Sequence, residues 1–164
     1  MPTARRALMT TLIDKILYAV GGEGKDKIMN IHDAYNSNTI EWITKSSMPT
    51  PRHHAATATV DGKMYIIRGR VAGTLPITNV NVTKMYDPEM DKWTILDRIP
   101  TKRSESSAAS IDNTIYVFGG KDITKTYNNT KNTILKLIDG NPRNHSLLRV
   151  MDCLPYLLII KSLL

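Results

Sequence analysis

A chain of 164 residues, 41% hydrophobic and 23% charged, is long enough to bury a core and has neither a disordered nor a fibrous composition. Its 22 Lys and Arg against 15 Asp and Glu leave a formal charge of +7. The densest basic groups are only Arg5-Arg6, Arg68-Gly69-Arg70 and Lys102-Arg103, so a solvated surface is expected in preference to a nucleic-acid site.

In chain order, residues 1–13 hold Arg5 and Arg6 and no acid, the balance of a weak organelle-targeting peptide. The apolar stretch that follows is broken by Asp14 and Lys15, which excludes a signal core or a membrane span. A repeat gives these residues a better explanation. Ile13-Asp14-Lys15-Ile16-Leu17-Tyr18-Ala19-Val20-Gly21-Gly22 aligns without gaps with residues 60–69 and 111–120. The tyrosines Tyr18, Tyr65 and Tyr116 lie 47 and 51 residues apart. An arginine stands 13 residues before each: Arg5, Arg52 and Arg103, always in a Pro-Thr-x-Arg context. Tyr35 and Trp42 are seven residues apart, as are Tyr86 and Trp93, and each Trp precedes the next motif Arg by ten. Three markers held in phase define a repeat.

The second unit shows its anatomy best. His54-Ala55-Ala56-Thr57-Ala58-Thr59-Val60 is a small-residue strand, and Asp61-Gly62 is a hairpin turn in which Gly tolerates positive φ. Met64–Ile67 is β-rich. A variable loop leads to a strand over Val80–Tyr86, Asp87–Asp91 turns the chain, and Lys92–Leu96 closes the unit. Four short strands in about 50 residues, repeated, are the pattern of a propeller blade. The expected class is therefore all-β, a partial propeller of about three four-stranded antiparallel blades. The boundaries read as 1–48, 49–99 and an incomplete 100–137, with 138–164 an atypical apolar tail. In that tail Arg149, Asp152, Pro155 and Lys161 interrupt the apolar run, so no membrane anchor is expected.

Catalytic and metal motifs fail on spacing. Gly21-Gly22-Glu23-Gly24-Lys25 looks like a phosphate loop, but Ala19 and Asp26 stand where Gly and Ser or Thr are required. His53 and His54 are adjacent, and on a strand they would point to opposite faces and not share an ion. The lone Cys153 excludes an internal disulfide, fits a reducing compartment such as the cytoplasm and has no catalytic context. Ser104, Ser106 and Ser107 read as the polar start of a strand. The repeat aromatics Tyr18, Tyr65, Tyr116, Trp42 and Trp93 are expected to pack between blades. No metal, no cofactor and no enzymatic activity are expected.

The glycine pairs Gly21-Gly22 and Gly119-Gly120, the spaced Tyr and Trp, and the Pro-x-x-Arg step together resemble kelch repeats. The wording of Lys63–Ile67 and Met85–Glu89 is most similar to poxvirus kelch-like proteins, and the likeness runs over roughly residues 1–137. It implies a protein-binding element. Such proteins usually carry an N-terminal BTB domain, which recruits a cullin-3 ligase, and a BACK region. Met1-Pro2 is in register with Met48-Pro49, so the expectation is a truncated member without that machinery, sequestering a host protein with no cullin-3 recruitment. The alternatives are a degenerate remnant without activity and a basic nucleic-acid binder. By position, the resemblance implies partner contacts at Glu23, Arg70 and Lys121 after the glycine pairs, and at His54 and Glu105 after the motif arginines.

Three departures stand out. Arg68 replaces the first glycine of the pair before Gly69, which is strained if φ is positive there. In the third unit Ile134 stands where Trp is expected, and the pattern is lost beyond Leu137. Propellers use four to eight blades, so open edges and self-association are expected.

Overall fold

The computed structural model describes residues 1–71, 78–122, 132–137 and 148–153, all strand, turn and loop. The first antiparallel sheet contains β1 (Met9–Ile13), β2 (Ile16–Val20), β3 (His32–Asn36) and β4 (Glu41–Thr44) in that order. The second contains β5 (Ala56–Val60), β6 (Lys63–Ile67), β9 (Val82–Asp87) and β10 (Lys92–Arg98). Between β6 and β9, β7 (Arg70–Val71) and β8 (Thr78–Asn79) form a two-stranded ribbon. The third sheet contains β11 (Ser104–Ile111), β12 (Thr114–Lys121), β13 (Asn132–Leu137) and β14 (Leu148–Cys153).

The three β hairpins at the start of each sheet share one register. Ile13 pairs with Ile16, Val60 with Lys63 and Ile111 with Thr114, so each closes in two residues. Asp14 and Lys15 have φ of 47° and 67°, Asp61 and Gly62 of 48° and 67°. Positive φ at both turn residues is what matches a two-residue turn to the twist of its strands.

The first strands β1, β5 and β11 lie side by side. Thr11 Oγ1 and Thr59 Oγ1 are 2.7 Å apart, and Thr57 Oγ1 donates to the Thr10 carbonyl at 3.0 Å. Alternation along the strands then sends one side of each sheet into the next boundary. Met9, Tyr18, Val20, Met64, Ile66 and Tyr86 fill the first boundary. Ala56, Tyr65, Ile67, Ile99, Ile115 and Val117 fill the second. The core is therefore two interfaces between sheets, which is a propeller's way of burying sheets with two apolar faces.

The third sheet departs from the sequence reading. Ile134 lies opposite Tyr116, the third-strand place that Ala34 and Met85 hold opposite Tyr18 and Tyr65. It does not take the fourth-strand Trp position. Leu148–Cys153 pairs with β13 and supplies the fourth strand from within the segment read as a tail. Main-chain pairing needs no Tyr or Trp, so the sheet continues where its side-chain signature has ended. Tyr127, which follows Gly120 by seven residues where Tyr35 follows Gly22 by 13 and Tyr86 follows Gly69 by 17, lies outside the described residues.

Candidate functional site

The motif arginines and the glycine pairs build one end of the molecule. The arginines cross their sheets as buried staples. Arg5 Nη2 donates to the Ala19 carbonyl at 3.0 Å, Arg52 Nη1 to the Arg68 and Val82 carbonyls at 3.0 Å each, and Arg103 Nη1 to the Gly119 carbonyl at 3.2 Å. The second glycine explains its own identity. A Cβ at Gly22, Gly69 or Gly120 would stand 3.0, 2.8 or 2.9 Å from the carbonyl oxygen of Arg6, His53 or Ser104. Gly22 N–H and Gly69 N–H then donate to the carbonyls of Arg52 and Arg103 on the following sheet, at 2.8 and 3.0 Å.

The first glycine position is left-handed in every sheet: φ is 62° at Gly21, 61° at Arg68 and 61° at Gly119. The expected strain at Arg68 is thus present. Its side chain is fully buried and donates from Nη2 to Thr101 Oγ1 at 3.1 Å.

Two sets of loop residues rise from this frame. Glu23, Arg70 and Lys121 follow the glycine pairs and pair across the sheet with Arg6, His53 and Ser104 respectively. Ala7, His54 and Glu105 stand two residues after the motif arginines, again left-handed, at φ 52°, 51° and 55°. Their main chains form an inner ladder from sheet to sheet. His54 N–H donates to Ala7 O at 3.1 Å, and Glu105 N–H to His54 O at 2.9 Å.

The side chains join these sets into a mixed-charge network. Glu105 accepts from Arg70 Nη2 at 2.8 Å and Lys121 Nζ at 2.7 Å. Glu23 accepts from Arg6 Nε at 2.9 Å and lies 3.8 Å from His53 Nδ1. Hydrogen bonding from Arg6 holds the Glu23 carboxyl below its ordinary range, and bonding from Lys121 does the same for Glu105. Burial lowers both histidines, with the neighbouring cations adding to it. At neutral pH the site therefore carries ionised carboxylates, neutral imidazoles and the cations Arg6, Arg70 and Lys121.

One expectation is corrected. His53 and His54 do not point to opposite faces: their Nδ1 atoms are 3.0 Å apart and their rings 4.7 Å. Neither residue lies in an extended strand, and the left-handed φ at His54 turns its ring back onto its neighbour. Among the described residues no three His, Cys, Asp or Glu gather as a metal site would require.

All five residues expected at the contact loops, Glu23, His54, Arg70, Glu105 and Lys121, thus fall at one end. Arg6 and His53 complete the network and were not foreseen. Each follows its motif Arg by one residue, a signal visible only once that position is known to pair with the loop after the glycines.

The structural aromatics lie away from this end. Trp93 Nε1 donates to Ser46 O at 2.8 Å and packs on the first boundary beside His32 and Tyr86. Tyr35 and Trp42 pack on each other, ring centroids 5.1 Å apart and planes tilted by 42°. A cleft of about 90 Å³ lined by Tyr18, Asp61, Lys63 and Asp87 lies between the first two sheets at the hairpin turns. Lys63 and Asp87, both of the second sheet, pair on its wall at 2.9 Å.

Residues 1–120 match the family model described as the KLHDC2/KLHL20/DRC7 Kelch-repeats domain. The chain belongs to the kelch-repeat family. Kelch repeats are in general protein–protein interaction modules. The Kelch-like protein terF of Aspergillus terreus is 32% identical over 147 residues, covering 85% of this chain and 32% of that protein. Mouse Kelch-like protein 40 is 29% identical over 109 residues, covering 64% of this chain and 16% of that protein. The kelch chain thus spans a third or less of these curated relatives. The solved structure of YjhT superposes with a TM-score of 0.64 at 19% identity, over 73% of this chain and 35% of that one. At that identity the likeness speaks to the fold alone, a partial propeller.

Proposed function

We propose that the end formed by Glu23, His54, Arg70, Glu105 and Lys121 is a protein-contact surface, and that this kelch chain binds and sequesters another protein. The observation that carries the reading is the convergence of loops from three sheets on one hydrogen-bonded, mixed-charge network held on a stapled frame. A pre-organised patch of this kind loses little conformational entropy on binding, and its partly exposed cations give it charge specificity. In this reading the chain acts in the cytoplasm. The resemblance to poxvirus kelch-like proteins makes a host protein the partner.

The test is affinity capture from cytoplasmic extract with the native chain beside Arg70→Glu and Lys121→Glu. Partners retained by the native chain and lost from both variants are expected. Equal recovery by all three, or no specific partner at all, overturns the reading, and the second outcome favours a product without binding activity.

A further inference from the structure

The motif arginines of the first two sheets stand in the same place and meet side chains of opposite sign. Arg5 Nη1 lies 2.9 Å from Asp33 Oδ2, an ion pair with both side chains almost wholly buried. Asp33 sits on β3 opposite Ala19, and Lys84 takes the equivalent place on β9 opposite Ile66. The position beside the motif guanidinium therefore carries a carboxylate in one sheet and an ammonium in the next.

Lys84 is kept near Arg52 by the strand it stands on. Arg52 Nη1 donates to the Val82 carbonyl at 3.0 Å, and Val82 and Lys84, two residues apart, share one face of β9. Lys84 and Arg52 are each 1% exposed. Neither Lys84 Nζ nor Arg52 Nε has a hydrogen-bond partner among the described residues. The charge that acts on Lys84 is that of Arg52, of its own sign. A buried cation without a counter-charge is costly, and a second one beside it adds to the cost.

The two cations lie inside a boundary between sheets. Ile66, the cross-strand neighbour of Lys84, packs there with Met64 and Tyr86 against Tyr18 and Val20 of the first sheet. Arg52 is covered by the same sheet, its carbonyl accepting from Gly22 N–H at 2.8 Å. These two sheets enclose the pair by themselves. A carboxylate carried on another protein cannot reach so enclosed a place, so a counter-charge has to be small and diffusible.

We propose that Lys84 Nζ and Arg52 Nε form a binding site for a small monovalent anion of the halide class, standing where the Asp33 carboxylate oxygen stands beside Arg5. A halide accepts hydrogen bonds from any direction and has no further atoms to house. Phosphate or sulfate would bring additional oxygens into a boundary filled by Met64, Ile66 and Tyr86. Charge-assisted hydrogen bonds satisfy both donors and cancel one of the two like charges. The anion braces Arg52, whose Nη1 bridges the Arg68 and Val82 carbonyls in the frame of the contact loops. It offsets part of the cost of burying Lys84 without abolishing it.

Thermal melts of the native chain and of Lys84→Met, each in sodium chloride and in sodium gluconate at a matched ionic strength of ~0.15 M, test this. Gluconate is too large for the enclosed place and reports the general salt effect. At pH ~6 Lys84 is protonated, burial lowering its ammonium only to about 7. His32, which faces this boundary from the first sheet, stays neutral there, held by burial at about 4. Chloride should raise the melting temperature of the native chain by at least ~2 °C over gluconate and leave Lys84→Met the same in both salts. In crystals grown with bromide, an anomalous difference peak is expected within hydrogen-bond reach of Lys84 Nζ and Arg52. Should Lys84→Met fail to fold, Lys84→Gln, which removes the charge and keeps a polar end, takes its place. Equal gains in both chains, no gain in the native chain, or bromide confined to the surface overturns the proposal.

Discussion

Arg5 and Arg52 occupy the same place in successive repeats and meet opposite neighbours. In the first sheet Arg5 Nη1 lies 2.9 Å from Asp33 Oδ2, both side chains almost wholly buried. In the second, Asp33 is answered by Lys84, which faces Ile66 as Asp33 faces Ala19. Lys84 is 1% exposed and its Nζ has no hydrogen-bond partner among the described residues. Burial, reinforced by the Arg52 charge, pushes its ammonium from 10.5 down to about 7. The unfolded chain therefore holds the Lys84 proton to higher pH than the folded chain does. The penalty on folding is complete below about 7 and fades as pH rises toward 10.5. Lys84→Met should raise the melting temperature at neutral pH, and that advantage should shrink steadily toward pH ~10. Paired thermal melts across that range check it, and a constant difference would show that Lys84 does not titrate in this window. The repeat alignment places Lys84 two residues before Tyr86. That it is buried beside an arginine is visible only in the folded sheet. Arg68 was legible in a different way: a non-glycine at a glycine position announces strain, and its φ of 61° carries it.

At the scale of the strand and the sheet, local chemistry gave most of the answer. Asp61-Gly62 marks its turn, the small residues before it mark β5, and the phase of Tyr and Trp places β9 and β10. The aromatics Tyr18, Tyr65, Tyr116, Trp42 and Trp93 were expected between blades; Tyr18 and Tyr65 are buried there, whereas Tyr116 and Trp42 are only half-buried and belong to neither boundary cluster. Trp93 is a clasp at the rim: half-buried, bonded to Ser46 O of the preceding sheet and edge-on to His32 at 5.4 Å. Trp93→Ala should cost about 2–3 kcal/mol, less than a fully buried tryptophan, through lost packing and an unanswered carbonyl. Trp93→Phe should cost about 1 kcal/mol, since only the hydrogen bond goes. Urea unfolding of the three chains checks both, and an unchanged midpoint for Trp93→Ala would remove Trp93 from the boundary. Sequence reasoning failed on the third sheet because a strand can be held by main-chain pairing alone, and β14 carries no repeat signature to find.

For the whole molecule, the formal charge of +7 overstates what a partner meets. Arg5, Arg52, Arg68, Lys84 and Arg103 lie in the interior, with Arg52, Arg68 and Arg103 at most 1% exposed. At the candidate contact end Glu23 and Glu105 neutralise part of what remains. Phosphate binding needs exposed cations in a continuous patch. Titration with duplex DNA at low salt should therefore show no salt-sensitive complex, and a tight one with a steep salt slope would revive the nucleic-acid reading.

The sequence alone determined the repeat, its four-strand unit and the arginine and glycine frame, because each is set by local conformation recurring at a fixed period. The tertiary structure alone decided that Glu23, His54, Arg70, Glu105 and Lys121 meet in one network with Arg6 and His53, that the adjacent histidines turn toward each other, and that Lys84 is buried against Arg52. Those outcomes depend on how one sheet lies against the next. Contacts between residues some 50 positions apart leave no pattern in either stretch of chain until both are folded.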